Sequence, residues 1–377
     1  MREIAAGLLG WFEGGTAFGL ATVVATSGSS MREIGAVLAV GPDGAVVGGV
    51  SGGCVEGAVY EAAAAAARDG RRERLRFGVA GDDPFAVGLT CGGEIDVVVD
   101  RVDSTARPYF GKLLARLVGR AAVCEVTVVA GAAVGHLVVT PEDSSGTLGF
   151  PALDADARAV GREMLAAAVS GLREIRVDGR VIEVFVRSFP APPLMIVFGA
   201  IDLADSVAQA ASFVGYRTVV CDARPVFATP QRFPNADEVV TAWPHDYLTQ
   251  QWQAGLIDSS TALCVLTHDA KFDGPLLEVA VRTPATYIGV LGSRRTHDDR
   301  TRRLSERGLE TEALTRLSSP VGLDLGGRSP QETALSIVAE VVAVANGRDG
   351  GRLRDGDGAI HSHHGFRRQA ASSRARL

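Results

Sequence analysis

Four things are scarce in this chain: aromatic residues (6%), paired cysteines, long uninterrupted apolar runs and any excess of positive charge. The five cysteines, at 54, 91, 124, 221 and 264, are odd in number and form no C-x-x-C pair. The opening Met1-Arg2-Glu3-Ile4 lacks the apolar core of a secretory signal. Together these features predict a cytoplasmic protein with reduced thiols rather than a disulfide framework. The most apolar long stretch, Ala121 to Thr140, is interrupted by Glu125 and His136, whose burial in lipid is costly, so no membrane span is expected. With 38 Lys plus Arg against 44 Asp plus Glu, the net charge of -6 gives no electrostatic reason to track nucleic acid.

What is present is a globular composition: 377 residues, 46% hydrophobic, 22% charged, with 45 glycines. At roughly 150 residues per domain that length suggests two or three domains with a sizeable core. The charge is uneven. From Arg348 onward seven arginines face three aspartates, a tail of +4 on a body of -10.

The pattern divides the chain at four places. Residues 1–105 read as an α+β unit: a β-branched strand over Gly19–Thr26, a turn at Gly28-Ser29-Ser30, and a hairpin over Ala36–Val50 through Gly41-Pro42-Asp43-Gly44. An alanine-rich helix then follows Ser51-Gly52-Gly53-Cys54 and stops at Gly70, and a strand runs over Glu94–Asp100. Residues 106–190 read as a connecting α+β portion with helices over Tyr109–Val118 and Ala155–Val169. After the stiff Pro190-Ala191-Pro192-Pro193, residues 191–347 alternate strands with helices at the spacing of a doubly wound parallel sheet. Their last helix opens at Ser329-Pro330-Gln331-Glu332, which has the form of a capping box. Residues 348–377 read as a disordered basic tail.

Three places carry residues suited to chemistry. Cys54 follows two glycines at a helix start, where the helix field favours a thiolate, and Cys91 precedes Gly92-Gly93. Glycines let a bulky ligand reach backbone and sulfur together. An isolated cysteine in a tight turn is more commonly a small buried residue, and neither spacing suits zinc. Cys124, Cys221 and Cys264 lie within strand-like runs and read as core.

Gly199-Ala200-Ile201-Asp202 stands where a dinucleotide fingerprint would, with Asp222 at the expected ribose position, but Ile201 replaces the second glycine and Asp202 brings negative charge to the helix start. His268-Asp269 and Ser293-Arg294-Arg295 follow two further strands, where open α/β sheets place ligands. The arginines could clasp a phosphate, or could equally be a solvated basic helix end.

Taken together, Ala21-Thr22-Val23-Val24, Val50-Ser51-Gly52-Gly53-Cys54-Val55-Glu56-Gly57 and Leu89-Thr90-Cys91-Gly92-Gly93 resemble the amino-terminal domain of the XdhC/CoxI family. These are the accessory proteins of xanthine and carbon monoxide dehydrogenases. Thr267-His268-Asp269, Tyr287 to Arg295, Pro320 to Gly326 and Ser329 to Ala334 resemble its Rossmann-like half.

The resemblance implies a non-enzymatic chaperone that binds molybdenum cofactor (molybdopterin) as cargo and delivers it to an apo-molybdenum hydroxylase. A cysteine desulfurase and a homo-oligomeric state are compatible with it. On this reading Cys54 and Cys91 face the metal, Ser51, Gly52, Gly53, Gly92 and Gly93 line the loops, and Gly199, Asp202, His268 and Asp269 belong to the binding surface. Ser293, Arg294 and Arg295 take the phosphate. The family's usual Gly-Ala-Gly-His is Gly199-Ala200-Ile201-Asp202 here, which removes any role carried by the histidine. The rivals are an NAD(P)-dependent oxidoreductase, which needs an intact glycine fingerprint, and a structural assembly factor that binds no cofactor.

Overall fold

The computed structural model describes residues 1–27, 32–78, 93–130, 135–267 and 269–355. The chain forms two compact units, Met1–Ala191 and Pro192–Leu377. The 106–190 portion thus shares one unit with 1–105.

The first unit opens with helix α1 (Ala5–Glu13). Strands β1 (Phe18–Ser27), β2 (Val37–Val40) and β3 (Val46–Gly48), helix α2 (Glu56–Asp69), and strands β4 (Glu73–Phe77) and β5 (Glu94–Val102) follow. Helix α3 (Phe110–Val118) leads to β6 (Val123–Ala130), β7 (His136–Val139), β8 (Ser144–Thr147), helix α4 (Pro151–Ala166), β9 (Gly171–Val177) and β10 (Arg180–Phe189). The two antiparallel sheets have the same plan. One is ordered β3-β2-β1-β5-β4 and the other β8-β7-β6-β10-β9, each with a helix inserted after its third strand.

Strand periodicity explains the layering. Along β1, Ala21 and Val23 pack under α2, while Phe18, Leu20 and Val24 face the other way with residues of the second sheet. Such buried side chains each contribute about 1.5–3 kcal/mol. Gly19 is required by contact: a Cβ there would lie 1.9 Å from the Ala63 carbonyl oxygen, so α2 crosses β1 backbone to backbone. At the same station of the second sheet the bulk is exchanged. Cys124 stands on β6 and Gly161 on α4, where a Cβ would lie 3.2 Å from the Cys124 sulfur.

The layer between the sheets also holds charge. Arg187 Nη2 meets Glu125 Oε2 at 2.5 Å, Arg107 bridges Glu125 Oε1 (2.9 Å) and Asp100 Oδ2 (2.6 Å), and Arg72 Nε reaches Asp100 at 2.9 Å. Burial penalises the Glu125 carboxylate, yet Arg187 and Arg107 hold it below the usual carboxylate range.

The second unit contains β11 (Leu194–Phe198), α5 (Asp202–Phe213), β12 (Arg217–Asp222), β13 (Glu238–Thr241), α6 (Pro244–Gln253) and β14 (Ala262–Val265). It continues with α7 (Ala270–Ala280), β15 (Tyr287–Val290), α8 (Arg294–Glu306), α9 (Thr311–Leu314), β16 (Leu317–Ser318) and α10 (Pro330–Ala345). The strands form one parallel sheet ordered β13-β12-β11-β14-β15-β16. Helices α5 and α10 cover one face, and α6, α7 and α8 the other. This is the doubly wound, Rossmann-like arrangement, with its topological switch point between β11 and β14. The capping box at Ser329 and Glu332 forms with both of its hydrogen bonds.

Three elements have little sequence signal. Strands β4 and β8 are edge strands, read Glu-Arg-Leu-Arg-Phe and Ser-Ser-Gly-Thr, and need apolar residues on one face at most. Helix α1, rich in small residues, buries only Ala5 and Leu8.

Candidate functional site

In the first unit the β3–α2 loop folds around one carboxylate. Glu56, in the first turn of α2, accepts from the Ser51 N–H at 2.8 Å, from the Gly53 N–H at 3.0 Å and from the Ser51 hydroxyl. Ser51 Oγ in turn accepts from the N–H groups of Gly53, Cys54 and Val55 at 3.2, 3.1 and 3.4 Å. Burial acts to raise the Glu56 pKa, but the bonds from Ser51 and from the Gly53 backbone outweigh it and the net shift is downward. The donors expected at an anion-binding helix start are therefore already engaged by the chain's own Ser51 and Glu56.

Gly53, at φ 115°, takes a backbone conformation that favours glycine. Gly52 and Gly53 are exposed, and the half-buried Cys54 packs at the margin of the α2 core. Arg32, just before β2, approaches the same place, since a Cβ on Gly49 would sit 3.6 Å from Arg32 Nη2 and 3.7 Å from Glu56 Oε1. Gly93 is buried beside β5. Cys91, Gly92 and His268 lie outside the described residues.

The remaining cysteines are structural. Cys124, Cys221 and Cys264 are fully buried, and burial pushes each thiol up to about 12. That is far from the reactive range.

In the second unit a cleft of about 460 Å³ opens at the switch point, lined by Gly199, Ile201, Arg224, Leu266, Thr267, Asp269 and Phe272. Gly199 has φ 112°, and a Cβ there would stand 3.0 Å from Thr267 Cγ2, so the ends of β11 and β14 close together only with glycine.

Asp222, at the end of β12, is 2% exposed, and its own chain surrounds it. Oδ2 accepts from the Ala200 N–H at 2.8 Å and from Arg224 Nη2 at 2.8 Å, while Oδ1 accepts from the Arg224 N–H and Nε, both at 2.9 Å. Burial works against this carboxylate, but the Arg224 and Ala200 bonds hold it below the usual range. The Asp202 side chain, 92% exposed, points to solvent and pairs with Arg232 at 3.2 Å. Beneath the cleft, the Thr267 hydroxyl donates to Asp273, whose other oxygen meets the buried Arg300 at 3.4 Å. Arg300 also donates to the Leu291 carbonyl at 3.0 Å, tying the ends of β14 and β15 together.

The other predicted residues cap helices. Asp269 caps α7 by accepting from the Lys271 N–H at 3.0 Å, and Ser293 caps α8 by accepting from the Thr296 N–H at 3.1 Å. Arg294 and Arg295 are exposed at the start of α8 and form no ion pair among the described residues. The fold therefore brings Gly199 and Asp269 to one cleft and leaves Asp202, Arg294 and Arg295 outside its lining. Arg224 and Phe272 are the lining residues that sequence reasoning passed over. For Arg224 the available signal was its place two residues beyond the strand-end acid Asp222.

Residues 11–78 match a family model described as the XdhC and CoxI family, and residues 195–341 match one described as the XdhC Rossmann domain. A Bacillus subtilis (strain 168) protein, named as a probable xanthine dehydrogenase subunit, is 29% identical over 86% of this chain and 92% of its own length. The Escherichia coli (strain K12) molybdenum cofactor insertion chaperone PaoD is 28% identical over 86% of this chain and 82% of its own. The crystal structure of a protein described as a xanthine dehydrogenase from Bacillus halodurans superposes with a TM-score of 0.67 at 25% identity, covering 94% of this chain and 98% of that one.

Proposed function

The chain belongs to the XdhC/CoxI family, and from that premise we propose that it is a molybdenum cofactor insertion chaperone. It takes the cofactor as cargo and passes it to an apo-hydroxylase of the xanthine or carbon monoxide dehydrogenase type. The observation that carries this reading is likeness over most of the chain to a protein named as such a chaperone, PaoD. The first unit supplies chemistry that suits it. Cys54 is the one described cysteine that is not fully buried, and it stands on a loop whose shape Ser51 and Glu56 maintain. A thiolate is the soft donor that suits a molybdenum centre. Cys91 is assigned beside it on the sequence likeness alone.

An NAD(P)-dependent oxidoreductase is the rival that the second unit would suggest by fold analogy. Against it stands the carboxylate of Asp222, which would have to receive the ribose hydroxyls but is enclosed by Ala200 and Arg224.

Anaerobic titration of the purified chain with molybdenum cofactor tests the proposal. Saturable binding is expected, weakened by Cys54→Ser and by Cys91→Ser, which remove the sulfur donor at nearly constant volume. If the parent does not bind, the chain is an assembly factor without cargo. If both folded variants bind as the parent does, the thiol assignment is wrong.

A further inference from the structure

The cleft at the switch point of the second unit presents three kinds of group. The first is a flat apolar wall. Phe272 lines the cleft, and the half-exposed Trp243 lies 5.3 Å from it, ring centre to ring centre. The second is the Asp269 carboxylate, which is exposed and meets only Lys271, through its N–H at 3.0 Å and its Nζ at 3.3 Å. A carboxylate offers about four acceptor positions, so this one can still accept two parallel N–H donors. The third is the Arg224 guanidinium. Its Nε and Nη2 hold Asp222, its side chain remains 45% exposed, and a guanidinium has five donors.

An aromatic wall, a double acceptor and a cation within one cleft define a ligand. The ring must be planar, must show a ring N–H next to an exocyclic amino group, and must carry an anion. Fused 2-amino-4-oxopyrimidines, the pterins and guanine, have that donor edge. Adenine and cytosine place a bare ring nitrogen where the ring N–H is needed, and hypoxanthine lacks the amino group. A cleft of about 460 Å³ falls within the roughly 300–1,000 Å³ of small-molecule sites.

We propose that this cleft binds a fused 2-amino-4-oxopyrimidine carrying a phosphate, with Asp269 accepting from the donor edge, Phe272 covering the ring and Arg224 holding the phosphate. The inference rests on the chaperone reading in one respect, that the ligand in the cell is then the pterin of the cargo. The same chemistry is offered by a guanine nucleotide.

The test is a set of titrations of the full chain, followed by tryptophan fluorescence and checked by calorimetry. The probes are guanosine monophosphate, inosine monophosphate and a pterin bearing a phosphate monoester. The guanine and pterin probes should saturate, and the one that binds more tightly identifies the source. The inosine probe, which lacks only the amino group, should bind at least about tenfold more weakly.

Asp269→Asn keeps a helix cap, because asparagine is an equally good N-cap residue, and should erase the difference between guanine and inosine. Arg224→Gln should weaken every phosphate-bearing probe, whereas the double variant Arg294→Gln, Arg295→Gln should bind as the parent does. Equal binding of the guanine and inosine probes, discrimination that survives Asp269→Asn, or no saturable binding of any probe overturns the inference. Molybdenum cofactor binding that Asp269→Asn leaves unchanged overturns it while sparing the chaperone reading. Discrimination for guanine in a chain that binds no cofactor does the reverse.

Discussion

His136 makes the stability of the first unit depend on pH in a way that can be calculated. The residue lies on β7, is 4% exposed, and its Nε2 has no hydrogen-bond partner among the described residues. Burial pushes the imidazole from 6.5 down to about 4, Glu125 draws it part of the way back, and smaller opposing effects come from Arg107 and Asp100. Below about pH 6.5 the unfolded chain therefore takes up a proton that the folded chain refuses. The stabilisation from keeping His136 neutral is complete above that pH and is lost as the pH falls towards 4. At 1.36 kcal/mol per unit, this interval is worth about 3 kcal/mol.

The perturbation is His136→Leu, which removes the titrating group and keeps an apolar side chain between the sheets. Urea unfolding of parent and variant at several values between about pH 7 and about pH 4.5 reads the difference. Any constant offset from repacking cancels, because only the change with pH matters. Over that range the parent should lose about 2–3 kcal/mol more than the variant. Parallel curves, differing in their total change by less than about 0.5 kcal/mol, would show that the imidazole finds water or a partner and would refute the argument.

Four further outcomes are expected. Asp273→Asn leaves the buried Arg300 without its counter-charge and should lower unfolding stability by about 3–5 kcal/mol in a denaturant titration, a loss under about 1 kcal/mol being contrary. A thiol reagent added to the folded protein should spare Cys124, Cys221 and Cys264 and modify only Cys54 and Cys91, as mass mapping would show. Ending the chain at Gly347 should move the melting temperature by less than about 2 °C, since residues 348–355 are exposed; a larger drop would mean that the tail docks. Calorimetry with NAD and NADP should find binding at least about tenfold weaker than a typical micromolar site, and micromolar binding that is lost on changing Asp222 would restore the oxidoreductase reading.

The doubly wound second unit was legible because each buried parallel strand is a short apolar run and each helix has its own stop. Leu194–Phe198 is a strand with the predicted bounds, and Gly215 follows a helix that ends at Phe213. The glycine-flanked Cys54 was legible as a loop before a helix for the same local reason. Less of the site could be read. Ser293 and Asp269 were marked as ligand residues, and both use their side chains to cap helices. Nothing in their immediate sequence separates a cap from a ligand, since both uses call for a short polar side chain at a helix start.

Composition, hydrophobic period and local turn chemistry, properties that neighbouring residues settle among themselves, determined the strands, the helices and the family likeness. Tertiary structure alone decided which residues meet. It set the shared plan of two sheets whose strands have little sequence in common, and it placed the chain of Arg187, Glu125, Arg107 and Asp100 between them. It also turned Asp222 from a ribose ligand into a clamp for Arg224 and Ala200. The physical reason is that a charge can be buried only beside its partner. Arg187 and Glu125 are 62 residues apart along the chain, brought together by strand pairing that no local pattern encodes.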